Sequence, residues 1–463
     1  MTLRNQLAAW LAFIVPVVGC SARDAPTGIE TSGGASAGNV AAAGSGGSAL
    51  SGGSSGGGAG AGAAGAGAGG GAGAGGGAGA GGGAGAGAAG AAASAFVHPG
   101  ILHTRIELDR MVAKVDAGAE PWASGFERLA TNSFAQVDHT PNAQQVVCAG
   151  GGGCPDGETF MPLARDCAAA YQNALRYQIS GDKAHADKTV QILNAWSSTL
   201  KEITGDSNAG LRAGMYGYQL AAAAELVRDY EGWAPEDFES LKNLLVTEFY
   251  PISSDFLKRH NDTCFDHYWA NWDLANMTSI LAIGVLTDDR EKFAEAVDYF
   301  KSGPGTGQID RLVNHLYPGT PTLGQGQESG RDQGHMTLVI SLVGAFCKIA
   351  FDQGVDLFAY EDNKVLALAE YTAKYNLGES VPWTNYTNCE GMAMTSISDN
   401  GRGTLRPSWE LLYNHYVRVK GLYAPYSQQF AELMRPEGGG GHYGTNSGGF
   451  DQLGFGTLAF TVE

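Results

Sequence analysis

The chain has 463 residues, with 29 Lys and Arg against 47 Asp and Glu, a formal net charge of −18 and 70 glycines. So acidic a surface argues against nucleic acid and anionic membranes as partners. The glycine is concentrated near the N-terminus, so the total length overstates the amount of folded chain.

The chain opens MTLRNQLAAWLAFIVPVVGC. Arg4 supplies a positive start, and the apolar run from Leu7 to Val18 is too short to span a bilayer. Val17-Val18-Gly19-Cys20 resembles the lipobox of bacterial lipoproteins, which implies cleavage before Cys20 and lipid on its thiol. Ser21 behind it suits an outer membrane, so the expected location is the periplasm or the cell surface. The membrane is then a partner through this anchor only. From Thr31 to Thr104 there is no charged side chain except histidine, and Gly33–Ala95 is almost purely Gly, Ala and Ser. Such a segment cannot bury enough apolar surface to offset the entropy of ordering it, so it reads as a disordered tether. Its root-mean-square span is on the order of 45 Å. The organisation is therefore a leader over 1–20, a linker over 21–95 and one folded domain over 96–463.

In the folded part, Thr104 and Glu107 form a capping box for a helix running to about Ala117 and stopping at Gly118. Apolar residues from Pro162 to Ile179 recur with a 3.6 period, and Gly181 ends that helix. Helices follow over Ala184–Leu200, Leu211–Arg228, Glu236–Phe249, His267–Leu286, Arg290–Phe300, Gly334–Phe351, Asn363–Tyr375 and Pro407–Val419. Met336–Phe351 is apolar nearly all round, which marks a helix covered on every side. Strand-like alternation is scarce, and no short fixed repeat is visible. The expected fold is all-α, an incomplete (α/α) toroid of antiparallel helical hairpins behind the disordered tether.

Six cysteines remain beyond Cys20. Cys148 and Cys154 bracket AGGGG and suit a small disulfide ring; Cys347 reads as a buried thiol; Cys167, Cys264 and Cys389 have no partner assignable from sequence. No CxxC or HxxxH pattern calls for a metal, and nothing calls for a cofactor.

Two clusters carry chemistry. The first is CFDHYWANWDLANM, Cys264–Met277, where His267 and Asn271 are spaced to share a helical face with Trp269 and Trp272 flanking them. Flat aromatic faces beside hydrogen-bonding edges suit a sugar. The bland reading is an amphipathic helix with core tryptophans and a capping Asn. The second is LGQGQESGRDQGHMT, Leu323–Thr337, which packs Glu328, Arg331, Asp332 and His335 into the entry of an apolar helix. Such groups are costly there without a polar cavity to serve, although a salt-bridged cap would use the same residues. Tyr216 and Tyr218 start another helix and can reach a cleft or simply pack. His442–Gly449 reads as a structured Gly-rich loop and lacks phosphate-loop spacing.

These groups can remove a proton beside a carboxylate. Asn271 and Arg331 would neutralise the carboxylate, and His267, His335 and Tyr268 are the candidates for base and acid. Over Phe96–Glu463, through HPGILHTRIELDRM, HYWANWDLANM, GQESGRDQGH, AEYTAKYNLG, RPSWELLYNHY and RPEGGGGHYGTNSGGFDQLGFGTL, the chain resembles the alginate lyase-like family of helical-toroid polysaccharide lyases. The resemblance implies β-elimination on a uronic-acid-containing, anionic polysaccharide. It implies an Asn–His pair, an Arg within Glu-x-x-Arg, and a Tyr shortly beyond. Asn271 matches loosely and Glu328-x-x-Arg331 matches in spacing, but Leu338 stands where the Tyr is implied, so His335, Tyr268 or another Tyr must substitute. Trp269, Trp272, Glu328, Tyr216 and Tyr218 would bind substrate. The alternatives are a toroidal glycoside hydrolase using a carboxylate pair from Asp266, Asp273, Glu328 and Asp332, or a non-catalytic glycan-binding lipoprotein.

Overall fold

The computed structural model describes residues 95–441 and 450–463. The leader, Cys20, the Gly/Ala/Ser segment and the His442–Gly449 loop lie outside the described residues.

The described chain is all-α in character, and local sequence explains most of its helix ends. The Thr104 backbone N–H donates to the Glu107 carboxylate at 2.9 Å, completing the capping box of α1 (Arg105–Asp116). Gly118 then turns the chain away at φ 61°. After α2 (Trp122–Ala130), α3 (Met161–Ser180) carries Pro162 in its first turn, where no N–H is missed, and ends on Gly181 at φ 70°. Asp182 accepts the Ala184 N–H at 3.0 Å and starts α4 (Lys183–Thr199). There follow α5 (Asn208–Val227), α6 (Pro235–Leu244), α7 (Tyr250–Arg259), α8 (Ala270–Leu286), α9 (Arg290–Ser302) and the short α10 (Ile309–Leu312). The chain continues through α11 (Gln333–Asp352), α12 (Tyr360–Asn376), α13 (Trp409–Tyr413), α14 (Pro425–Met434) and α15 (Gly456–Ala459).

Extended structure among the described residues is confined to two-stranded pairs. β1 (Gly100–Ile101) pairs antiparallel with β2 (His103–Thr104), and β3 (Val146–Ala149) pairs parallel with β4 (Glu202–Gly205). β5 (Val313–Tyr317) with β6 (Leu323–Gly326), and β7 (Tyr386–Thr387) with β8 (Ala393–Met394), are antiparallel.

Two helical expectations need correction, and a third holds only once irregular residues are set aside. The helix expected over 236–249 does not end there: a π-helical stretch, Leu245–Phe249, leads straight into α7. Pro251 sits in the first turn of α7, where proline is tolerated, so it does not break the path. The helix expected from His267 begins only at Ala270, with Trp269 as its extended N-cap at ψ 156°. In α12, Glu361–Asn363 have positive φ, so regular helix begins at Lys364, close to the expected start.

The long helices α3, α5 and α8 run in the same direction. Cys167 and Gln178 of α3 meet Tyr216 and Leu226 of α5 in order. Gly214 and Gly217 of α5 meet Ala275 and Ser279 of α8 in order. α8 packs on α11, whose Gly344 and Phe351 meet Leu411 of α13 and His415 just beyond it. The hairpin partners α4 and α9 follow their predecessors through short turns, which forces them back antiparallel. Aromatic groups fill the interior between these helices, among them Trp196, Trp272, Trp409, Tyr171, Tyr216 and Tyr218. α11 is long and apolar enough to cross a membrane, but 78% of its apolar window is buried inside the protein, as befits a core helix.

Cys148 and Cys154 are disulfide-bonded, as expected. A second disulfide joins Cys264 to Cys389 across 125 positions of chain, a pairing that spacing could not reveal. Cys347 is a buried thiol, and so is Cys167.

Candidate functional site

The α8 start and the turn before α11 meet through one carboxylate. Glu328 is fully buried. It accepts from the Asn271 backbone N–H at 2.8 Å and from the Asn271 side-chain amide at 2.8 and 3.1 Å. Its other face takes the Arg331 guanidinium at 2.9 Å. The neighbouring Gln327 Oε1 accepts the Ala270 N–H at 3.1 Å. Two side chains of one turn therefore satisfy backbone donors that the first turn of α8 leaves free.

Arg331 next lies over Trp269, its guanidinium 4.9 Å from the ring centroid, and donates to His335 Nε2 at 3.2 Å. An arginine can only donate, so Nε2 carries the lone pair and the ring proton sits on Nδ1. That proton goes to Asp332, at 2.6 Å. Asp332 also caps α11 by accepting the His335 backbone N–H at 2.8 Å. Burial alone would raise the Asp332 carboxyl. The bonds from His335 and the Arg331 charge outweigh it and hold the group below its ordinary value. The result is a neutral, oriented imidazole beside a guanidinium, with the Asp332, His335 and Arg331 side chains 16%, 21% and 10% exposed.

The segment after α12 steadies this turn. Asn400 O accepts the Gln333 N–H at 2.8 Å, and the Ser398 N–H donates to Ser329 O at 3.0 Å. Arg406 reaches Gly334 O at 3.3 Å and Thr337 Oγ1 at 3.4 Å while bonding Asp451 and Gln452. On the other side, the Cys264–Cys389 disulfide ties the β7–β8 hairpin to the α8 leader. Asp266 of the leader accepts from Tyr386 OH at 2.9 Å and from the Cys389 N–H at 2.7 Å. Gln327 reaches Tyr386 OH at 3.4 Å. Burial, together with the Asp266 charge, raises the Tyr386 hydroxyl well above its ordinary value. Cys264, Asp266 and Cys389 have metal-like spacing among the described residues, but both sulfurs are committed to the disulfide.

Several sequence expectations change here. His267 and Asn271 do not share a helical face, because His267 precedes the helix; it bonds Glu390 at 2.7 Å instead. Asn271 is wholly buried, so its amide serves Glu328 rather than lying open to a sugar carboxylate. Trp272 is 1% exposed, packed against Phe256 and Tyr268, which removes it from a sugar face. Tyr268 is buried too, and its hydroxyl is engaged by Asn261 at 2.9 Å. Tyr216 and Tyr218 are buried, where desolvation raises both hydroxyls; Tyr218 lines a small cavity with Tyr171, Ser341 and Gln452, and Tyr216 packs in the core. Trp269, Glu328, Arg331 and His335 are the predicted residues that meet at one place. Gln327, Tyr386, Glu390 and Arg406 were missed, and Asp266 was considered only as a hydrolase carboxylate. Their partners lie 45 to 123 positions away, and no local pattern signals such pairs.

Residues 156–383 match the alginate lyase family model. Over those residues, just under half of the sequence, the chain is alginate lyase-like, which identifies it as a polysaccharide lyase. Its fold is similar to that of alginate lyase A1-III from Sphingomonas species A1, at 13% identity, 77% coverage of this chain, 95% of that chain and a TM-score of 0.52. A histidine-to-alanine variant of alginate lyase A1-III complexed with tetrasaccharide is similar at 14% identity, 77% and 94% coverage and a TM-score of 0.51. At these identities the likeness speaks for the fold alone. No curated protein matches the chain by sequence. In this chain Leu338 stands where the resemblance implied a tyrosine.

Proposed function

We propose that this chain cleaves a uronic-acid-containing polysaccharide by β-elimination, with Arg331 binding the uronate carboxylate and His335 acting as base. The observation that carries the reading is the Asp332–His335–Arg331 relay, with a 2.6 Å bond on one ring nitrogen and a 3.2 Å bond on the other. A uronate carboxylate taking the Arg331 guanidinium would draw it from His335 Nε2. That frees the lone pair as the carboxylate is neutralised, so binding arms the base. The base then removes the C5 proton, the C4–O bond breaks with its electron pair going to the leaving oxygen, a solvent proton converts that oxygen to a hydroxyl, and a 4,5-double bond remains. Trp269 offers a partly exposed flat face beside Arg331 for the sugar ring. Asn271 and Glu328 position Arg331 and do not touch substrate.

The same reading extends to architecture and place. The run of like-directed helices α3, α5 and α8 with returning partners supports an incomplete (α/α) toroid. Their N-terminal ends would favour an anion at this end of the helices, beside Arg331. Lipid attachment at Cys20 and a Gly/Ala/Ser tether would hold the domain at a bacterial outer surface; the support is the Gly-Cys pair ending the apolar run. The tetrasaccharide held by the A1-III variant supports a polymeric sugar substrate. A paired-carboxylate hydrolase is disfavoured, since Asp266, Asp273 and Glu328 are buried and engaged by neighbours.

The test is incubation of the purified full chain with alginate, pectate, glucuronan and glycosaminoglycan while following near-ultraviolet absorbance of the unsaturated product. Wild type should give signal on at least one polymer. His335→Gln should lower turnover by roughly 10²–10⁴-fold with helical signal intact. Reducing ends without absorbance would show hydrolysis and defeat the proposal.

A further inference from the structure

A buried ion cluster closes the C-terminal end of α11, away from the Arg331 turn that precedes its start, and the mechanism above does not use it. Lys348 and Asp352 stand four residues apart in that helix, so their side chains leave one face and meet. The two side chains are 6% and 3% exposed. Lys348 Nζ also donates at 3.0 Å to Glu107, the carboxylate of the α1 capping box. Asp352 Oδ2 is buried and has no hydrogen-bond partner. Burial pushes the Asp352 carboxyl up to about 7, against the pull of Lys348. Burial likewise keeps the imidazoles of His103 and His415, both within reach of the Lys348 charge, neutral, at about 3 and about 4.

An ammonium held between two carboxylates away from water is costly to assemble. Asp352 adds a second cost. It is the last residue of α11, where the free carbonyls already make the helix end negative. An amide in place of the Lys348 and Asp352 charges would remove one charge of each sign and leave a single N–H to satisfy. Glu107 can accept that N–H while keeping its bonds from the Thr104 N–H and hydroxyl, at 2.9 and 3.1 Å.

We propose that Lys348 Nζ and Asp352 Cγ condense into an intramolecular isopeptide bond, with Glu107 carrying the proton. One proton first passes from the ammonium to the Asp352 carboxylate, leaving an amine and an acid. The amine nitrogen attacks Cγ and the N–C bond forms. Glu107 takes the proton the nitrogen sheds and returns it to the departing hydroxyl. The C–O bond breaks and water leaves, so no other reactant is consumed. Spacing of i to i+4 closes the ring on one helix face without bending the backbone, and the contact between the two groups replaces a bimolecular encounter.

The linkage stands apart from the uronate reading, and mass rather than turnover tests it. The folded full chain is incubated, then unfolded, reduced and digested with trypsin. In wild type, trypsin should fail to cut after Lys348, and the peptide 332–364 should appear lighter by one water. Glu107→Gln keeps a capping-box partner for Thr104, so the helical signal should persist while linkage slows by roughly 10²–10⁴-fold. Lys348→Arg should abolish the water loss. Asp352→Asn should reach the same linked mass as wild type by releasing ammonia, which keeps the test open should Lys348→Arg not fold. A wild-type chain cut after Lys348 into peptides of full mass overturns the inference. So does a water loss that survives Lys348→Arg, which would mark closure of Asp352 onto the Gln353 backbone nitrogen instead. Linkage of Glu107→Gln at the wild-type rate overturns the role given to Glu107.

Discussion

His335 shows how one side chain can be read only through its neighbours. Asp332 does two jobs with two oxygens: Oδ1 caps α11 and Oδ2 takes the imidazole proton. Asparagine caps a helix as well as aspartate does, so Asp332→Asn should keep the cap through its oxygen. Its amide nitrogen would then face His335 Nδ1 and force the proton onto Nε2, against Arg331. The expected outcome is unchanged thermal stability with turnover reduced at least about 10²-fold, checked by melting and by product absorbance. Equal losses of stability and turnover would instead assign Asp332 to the cap alone. Acid should act through the same group. Its depressed carboxyl contributes stability above the ordinary value of about 3.9, lost as pH falls through the lower folded value.

Among the helices, the contact between α5 and α8 depends on two glycines that sequence reading passed over. A Cβ on Gly214 would stand 2.7 Å from the backbone of Ala275 and Asn276, and one on Gly217 would meet Ser279 Oγ. Helix propensity alone predicts that Gly214→Ala stabilises by about 1 kcal/mol. The backbone clash predicts the opposite, about 1–3 kcal/mol of loss as the helices part. Backbone atoms cannot swing aside as a side chain can, so the clash should win and denaturant midpoints should fall. Parting these helices also moves the first turn of α8, which Glu328 and Gln327 bind, so turnover should drop with stability. The same element view explains the missed helix α7. Pro251 reads locally as a breaker, but a proline in a first turn gives up no hydrogen bond, and the π-helical stretch carries the chain into it.

For the whole molecule, acidity has an internal as well as an external face. Glu437 is buried beside Glu410; desolvation first, and the Glu410 charge second, push its carboxyl up to about 8. The folded state therefore holds a proton that the unfolded chain releases near 4.3. Folding stability from this group is full below that value and is lost as pH rises through about 8. Melting temperature should fall between pH 5 and 8.5 on this account, and Glu437→Gln should flatten the decline. A wild-type slope that survives the substitution would place its origin elsewhere.

The sequence by itself determined the parts that depend on neighbours along the chain. Helices follow from a 3.6 period, the capping box from Thr104 and Glu107, the small disulfide ring from Cys148 and Cys154, and the buried character of α11 from a sequence apolar nearly all round. It also singled out Arg331, His335, Glu328 and Trp269, because charge and aromatic rings crowd where a core helix begins. Tertiary structure alone decided which of the proposed residues are accessible. Asn271, Tyr268, Trp272, Tyr216 and Tyr218 carry the right chemistry and are sealed in the interior, while Tyr386 and Arg406 came from distant segments. Periodicity says which face of a helix is apolar, but not which neighbour will cover a polar group on it. That is settled by packing between segments far apart in sequence, and here a single buried glutamate, Glu328, does the joining.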